Sequence, residues 1–254
     1  MPTALLREVA STFDRAIVSD AGRRPDVDLA REQHHRYAQA LIGAGYDVEV
    51  IAADHAHPDC VFIEDTAVII GSTAVIARPG ASERRGEGGP VVTMLETRFP
   101  IARIEAPGTL DGGDVMVLGR TVFVGRSKRT NDSGVAQLAE VSRSEALTFT
   151  AVPVHEVLHL KSAVLPVADA TIVVTPGTVD ESLLSDLQIL HEAKHERHRF
   201  SALRLASGEA LVTANAPDTA HMVADLGIAV TPLDISEVQA ADGGLTCMSI
   251  LIED

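Results

Sequence analysis

Tryptophan is absent from this chain of 254 residues, and tyrosine and phenylalanine together make up only 3% with no other aromatic to help. The hydrophobic share is nevertheless 46%, so any core must be assembled from Val, Leu, Ile and Ala. Positive charge is also short: 21 Lys and Arg face 36 Asp and Glu, a formal net charge of −15. That balance argues against nucleic acid or an anionic membrane as partner and suits a cationic small molecule. Only two cysteines occur, Cys60 and Cys247, too few for the disulfide framework of a small secreted scaffold. No apolar run approaches the roughly 20 residues of a membrane helix. The opening MPTALLREVASTF has no basic region followed by an apolar stretch, so no secretory signal is expected. The expectation is a cytoplasmic protein.

What is present is repetition. The runs 60–80, 114–125, 158–177 and 201–217 each read as a β-rich stretch, a short turn and a second β-rich stretch, with turns at Gly71-Ser72, Gly119, Ala168-Asp169 and Ser207-Gly208. A lone strand at 245–254 ends the chain, and residues 3–11 can supply its partner. Between these runs lie segments of helical periodicity, over 28–42, 90–97, 132–141, 181–196 and 217–226. The repeats recur roughly every 42–54 residues, the range of repeated supersecondary units. About five units, the last completed by the N-terminus, predict an α/β ring whose closure removes exposed sheet edges. No Gly/Ser/Pro linker divides the chain, so one domain over 1–254 is expected; RRGEGGP at 84–90 reads as a mobile loop.

Two H-E-x-x-H spacings, His155 to His159 and His191 to His195, raise a zinc hydrolase as one reading. That chemistry needs both imidazoles on one helical face. The Val-rich surroundings of His155, between Pro153 and Pro166, read as strand, which would separate the two rings by about 13 Å. The second copy reads as helix, amid a charged run typical of a solvated face. No metal or organic cofactor is expected. A nucleophilic set is the better candidate: Cys247 follows Asp242-Gly243-Gly244, His159 begins a strand in another unit, and Asp111 begins a third. By itself Cys247 reads more readily as a small buried hydrophobe.

The segments PDCVFIEDTAVI, ARPGASERR, GTLDGGDV, VGRSKRTN, LHLKSAV and LTCMS, in this order from residue 58 to the C-terminus, resemble the dimethylarginine dimethylaminohydrolase family of the guanidino-group-modifying (pentein) superfamily. The resemblance implies a five-bladed α/β propeller of ββαβ units. It also implies hydrolysis of mono- and asymmetric dimethylarginine to citrulline plus methylamine or dimethylamine. It assigns Cys247 as nucleophile, His159 as acid and base, and Asp111 as the partner of that histidine. Asp59, Glu64 and Asp65 correspond to contacts with the cationic ends of the substrate, Arg84 and Arg129 to contacts with its carboxylate. Ala241 and Asp242 correspond to backbone contacts, and Ile17 to an aliphatic lid position. An even spacing from Asp59 to Asp65 would place both on one face of a regular strand. Asp114 reads as support for the Gly112-Gly113 turn, and Cys60 as a packed thiol. Residues 1–57, the Gly-rich RRGEGGPVV and the stretch 178–200 depart from the family pattern. Other readings are an arginine or agmatine deiminase, an amidinotransferase, and a binding module without turnover. A homodimer is compatible with the resemblance.

Overall fold

Short β-branched runs interrupted by turn residues dictate the architecture seen in the computed structural model, which describes residues 1–19 and 23–253. In chain order the elements are β1 (Thr3–Arg7), α1 (Val27–Gly43) and β2 (Asp47–Ile51); then β3 (Ala67–Ile70), β4 (Thr73–Ile76), α2 (Gly89–Leu95) and β5 (Ile101–Arg103). They continue with β6 (Val115–Leu118), β7 (Thr121–Arg126), α3 (Asp132–Ser144) and β8 (Thr148–Pro153); then β9 (Val164–Ala168), β10 (Thr171–Val174) and β11 (Gln188–His191). The last are β12 (Ala202–Arg204), β13 (Ala210–Thr213), α4 (Pro217–Ala224), β14 (Val230–Leu233), α5 (Ser236–Ala240) and β15 (Ser249–Ile252).

The strands form five three-stranded sheets. Each has one design: an antiparallel pair, then a third strand parallel to the middle one. A parallel third strand requires a crossover, and a helix supplies it in four of the five sheets. The N-terminus completes the last unit as expected: β1 pairs antiparallel with β15, Leu5 opposite Ile250, and parallel with β2, Leu5 opposite Glu49. The repeat is therefore ββαβ, in the α/β propeller class expected.

The chain forms two compact units, Met1–Ile63 with Ala193–Asp254 and Glu64–Glu192. The first holds sheets β15-β1-β2 and β12-β13-β14. Its core gathers Leu6, Phe13, Tyr37, Leu41, Leu211, Val238, Leu245 and Met248. Helix α1 contributes through Ala30, Gln33, His34, Tyr37 and Leu41, the buried positions of one face. Asp26 starts it by accepting from the amides of Asp28 and Leu29. The second unit holds the other three sheets around two aliphatic clusters. One centres on Ile70, Val75, Leu110, Val122, Val124 and Leu138; the other on Phe123, Val152, Leu160, Val164, Ile172 and Val174. Each such side chain stabilises the fold by about 1.5–3 kcal/mol relative to exposure.

One expected helix is absent. Over 181–196 the chain makes a single 3₁₀ turn, Glu181–Leu184, then β11, then a second turn, Lys194–Glu196. Parallel pairing of Ile189 and Leu190 with Ile172 and Val173 claims the segment, so tertiary pairing overrides its helical periodicity. The second H-E-x-x-H therefore has no helical face: His191 ends a strand beside Glu181, and His195 sits 3.1 Å from Asp218. The buried Glu196 is spent as a cap on α4, accepting from the amides of Asp218 and Thr219. The first copy is not strand either. β8 stops at Pro153, His155 is exposed, and His159 is buried at the entry to a 3₁₀ turn. Among the described residues no helix is long and apolar enough to cross a membrane.

Candidate active site

A 3₁₀ turn precedes the first strand of four of the five sheets: Ile63–Thr66 before β3, Gly112–Asp114 before β6, Leu160–Ser162 before β9 and Thr246–Met248 before β15. Glu64, Asp65, Asp111, His159 and Cys247 all lie in these turns or immediately before them. One local device, repeated with the unit, thus delivers these five side chains. The segment from Asp59 to Asp65 is accordingly turn and 3₁₀ rather than strand, so the face-sharing argument for that pair does not apply.

Within the Glu64–Glu192 unit, His159 Nε2 lies 3.0 Å from Asp111 Oδ2, and its Nδ1 lies 4.0 Å from Asp65 Oδ1. All three side chains are buried. Burial alone would lower the His159 pKa, but the Asp65 charge, the Asp111 hydrogen bond and the Asp114 charge outweigh it and raise it to about 9. The imidazole is thus an imidazolium at neutral pH. Burial also works against ionised Asp65, yet the charges of His159 and Arg84 hold it below the usual carboxylate range. Asp111 is held in turn: its Oδ1 accepts the Gly80 amide at 2.8 Å, its own amide donates to Thr130 Oγ1, and Arg129 Nη1 lies 3.5 Å from its Oδ2.

The two glycines of LDGGD are there for room. A Cβ on Gly112 would stand 1.9 Å from the Glu64 carbonyl oxygen. One on Gly113 would stand 2.6 Å from His159 Nδ1 and 2.9 Å from Asp65 Oδ1. The Gly113 amide uses the close approach to donate to Asp65.

Arg84 is buried, and its fork is directed at protein carboxylates: Nη1 to Asp65 at 2.5 Å, Nε and Nη2 to Glu87. Burial opposes its charge, but Asp65 and Glu87 hold its pKa above the ordinary arginine value. Within 84–90, Arg84 and Glu87 are both buried and bonded to each other. Glu64 likewise has a partner, Lys161 Nζ at 2.5 Å. Sequence reasoning passed over Glu87 and Lys161, although both lie inside quoted motifs. Their partners are set by the fold, Lys161 and Glu64 being 97 positions apart.

Within the other unit, Cys247 is half-buried, and the Gly244 amide donates to its Sγ at 3.3 Å. Such a donor favours thiolate. Leu245, two residues earlier, is tied by its amide to Ser201 Oγ. Asp242, at φ +59°, accepts from the Ser19 amide and hydroxyl, at 2.5 and 2.8 Å. Ala241 is buried at the end of α5. Asp59, also buried, accepts the Ile17 amide at 3.2 Å, and the Ile17 side chain is exposed. Carboxylates therefore hold the 17–19 segment at both ends. Cys60 is buried and accepts the Asp54 amide, in keeping with a packed thiol.

Comparison with known proteins supplies the family. The model of eukaryotic N,N dimethylarginine dimethylhydrolase matches residues 11–224. The N(G),N(G)-dimethylarginine dimethylaminohydrolase of Streptomyces coelicolor is 36% identical over 99% of this chain and 97% of its own. That of Pseudomonas aeruginosa is 32% identical over 97% of each. A solved structure of the Pseudomonas aeruginosa enzyme, a cysteine-to-serine mutant complexed with citrulline, superposes with a TM-score of 0.94 at 30% identity, covering 98% of both chains. The fold is that of this five-bladed propeller class, and the chain belongs to the dimethylarginine dimethylaminohydrolase family, hydrolases that act on C–N bonds.

Proposed function

We propose that the protein hydrolyses Nω-methylated arginines, asymmetric dimethylarginine and monomethylarginine, to citrulline and dimethylamine or methylamine. The observation that carries this reading is the buried His159, flanked by Asp111 and Asp65 and charged at neutral pH. It is a proton donor suited to expelling an amine. The citrulline complex of the Pseudomonas relative supports the product.

A guanidinium carbon is a poor electrophile, and a thiolate is among the strongest nucleophiles a protein offers near neutral pH. The Gly244 amide at Cys247 Sγ supports that form. Cys247 attacks the guanidinium carbon to give a tetrahedral adduct. The bond to dimethylamine then breaks as His159 delivers its proton to the leaving nitrogen. An S-alkylthiouronium remains on Cys247. Water attacks its carbon while neutral His159 takes one water proton; the C–S bond breaks as the hydroxyl becomes the carbonyl and its proton passes to solvent, citrulline leaves and the thiolate returns. Asp111 orients the ring and favours its charged form throughout.

The reading takes residues 1–254 as a single catalytic domain. Asp59, Glu64 and Asp65 meet the cationic groups of the substrate, and Arg129 meets its α-carboxylate. Ala241 and Asp242 offer backbone, and Ile17 covers the site. Arg84, with its fork engaged by Asp65 and Glu87, positions Asp65 instead of holding substrate. The test is to compare turnover of asymmetric dimethylarginine, monomethylarginine, arginine and agmatine before and after exhaustive chelation. Methylated arginines are expected to be consumed at unchanged rate after chelation. Preference for arginine or agmatine, or loss of activity on chelation, would overturn the reading.

A further inference from the structure

Asp114 is fully buried, and a turn-supporting aspartate needs none of the connections it makes. Its Oδ1 accepts the Leu160 amide at 2.8 Å, one residue after His159. Its Oδ2 accepts two hydroxyls, Ser127 Oγ at 2.6 Å and Thr130 Oγ1 at 2.7 Å. Each hydroxyl passes the connection on. Ser127 Oγ accepts the amides of Arg129 and Thr130, at 3.0 and 3.2 Å. Thr130 Oγ1 accepts the Asp111 amide at 3.2 Å. We propose that Asp114 is a positioning residue for the reaction, one buried carboxylate that sets the register of His159, Asp111 and Arg129 through three hydrogen-bonded branches.

Hydrogen-bond polarity makes this specific. A hydroxyl has one proton, and both Ser127 and Thr130 must present lone pairs to backbone amides. Their protons therefore go to one oxygen while the Leu160 amide donates to the other, so both ends of the side chain must accept, which an ionised carboxylate does and an amide does not. The chain also clears space for it: a Cβ on Gly125 would stand 2.4 Å from Asp114 Oδ1 and 2.9 Å from the Leu160 Cβ. Burial pushes the Asp114 carboxyl up to about 6, against the His159 charge and the hydrogen bonds from Ser127, Thr130 and Leu160. The other charged groups gathered about His159 are Asp65 with Arg84, and Asp111 with Arg129. Protonation of Asp114 would put a donor where two hydroxyl protons already point.

The branches can be cut one at a time, which separates positioning from bulk stability. This test rests on the proposed reaction for its kinetic half only; the titration of His159, followed by NMR in the ligand-free protein, needs no substrate. Thr130→Val cuts the branch to Asp111: kcat on asymmetric dimethylarginine is expected to fall about tenfold or more with KM little changed. The His159 titration moves to lower pH, and Thr130→Ser restores both. Ser127→Ala removes the acceptor of the Arg129 and Thr130 amides and leaves the Thr130 hydroxyl on Asp111: KM is expected to rise about tenfold, with kcat and the titration moving less than in Thr130→Val. Asp114→Asn shows both sets of changes. The proposal is overturned if Thr130→Val and Ser127→Ala alter the same kinetic parameter in proportion to lost melting temperature. It is equally overturned if the His159 titration is the same in wild type, Thr130→Val and Asp114→Asn. A protein inert towards methylated arginine whose His159 titration still shifts would defeat the proposed reaction and leave the positioning role standing.

Discussion

His159 Nε2 and Asp111 Oδ2 are 3.0 Å apart, and the aspartate is fully buried. A carboxylate with no water to solvate it finds its compensation in the imidazolium, in the Gly80 amide and in Arg129. Together with Asp65 this arrangement raises the His159 pKa to about 9. The general-acid step therefore weakens only as pH climbs through about 9. Replacing Asp111 with Asn removes one raising influence, so the alkaline limb of the kcat/KM profile moves towards neutral pH. The stability linked to His159 runs the same way: present in full below the unfolded histidine value near 6.5, it is lost as pH rises through the folded value of about 9. Parallel pH profiles for wild type and Asp111→Asn would contradict this.

Arg84 separates two accounts of one residue. If its guanidinium holds Asp65 and Glu87 together, Arg84→Ala takes the guanidinium away from two buried carboxylates. The expected cost is about 3–5 kcal/mol, read as a lower urea midpoint. A fully stable Arg84→Ala protein with only a raised KM would return Arg84 to the substrate carboxylate.

Gly113→Ala tests the close approach behind the imidazole. The added methyl meets His159 Nδ1 at 2.6 Å, so the buried ring must shift to admit it. Displacement by a fraction of an ångström to an ångström is expected to lower kcat by about a hundredfold. Unchanged kcat with a folded protein would show that the ring is not held where the reaction needs it.

Ser19→Ala removes the hydroxyl bond to Asp242 and leaves the amide bond in place. One hydrogen bond of about 1 kcal/mol translates to roughly a fivefold rise in KM if the 17–19 segment must be seated to hold substrate. An unaltered KM would remove that segment from the binding step.

The hairpins were legible because their signals are local: β-branched runs around Gly71, Gly119 and Gly208, each at positive φ. So was the pairing of the N-terminal strand with 249–252, since a lone terminal strand needs a neighbour. The strand β11 was not legible. The run 181–196 carries a helical period, and pairing with Thr171–Val174 makes Gln188–His191 extended instead. The candidate residues were found by motif, but not their couplings. Neither spacing nor composition indicates that Lys161 meets Glu64, that Glu87 meets Arg84, or that Thr130 joins Asp114 to Asp111. Those are facts about where separate 3₁₀ turns bring their side chains.

The most direct test of the account is chemical trapping. The protein is incubated with asymmetric dimethylarginine, quenched in acid within the first turnovers, digested and examined by mass spectrometry. The account predicts dimethylamine release together with a thiouronium adduct on the peptide bearing Cys247, and neither in Cys247→Ser. Citrulline formation by Cys247→Ser at a rate near wild type would contradict it.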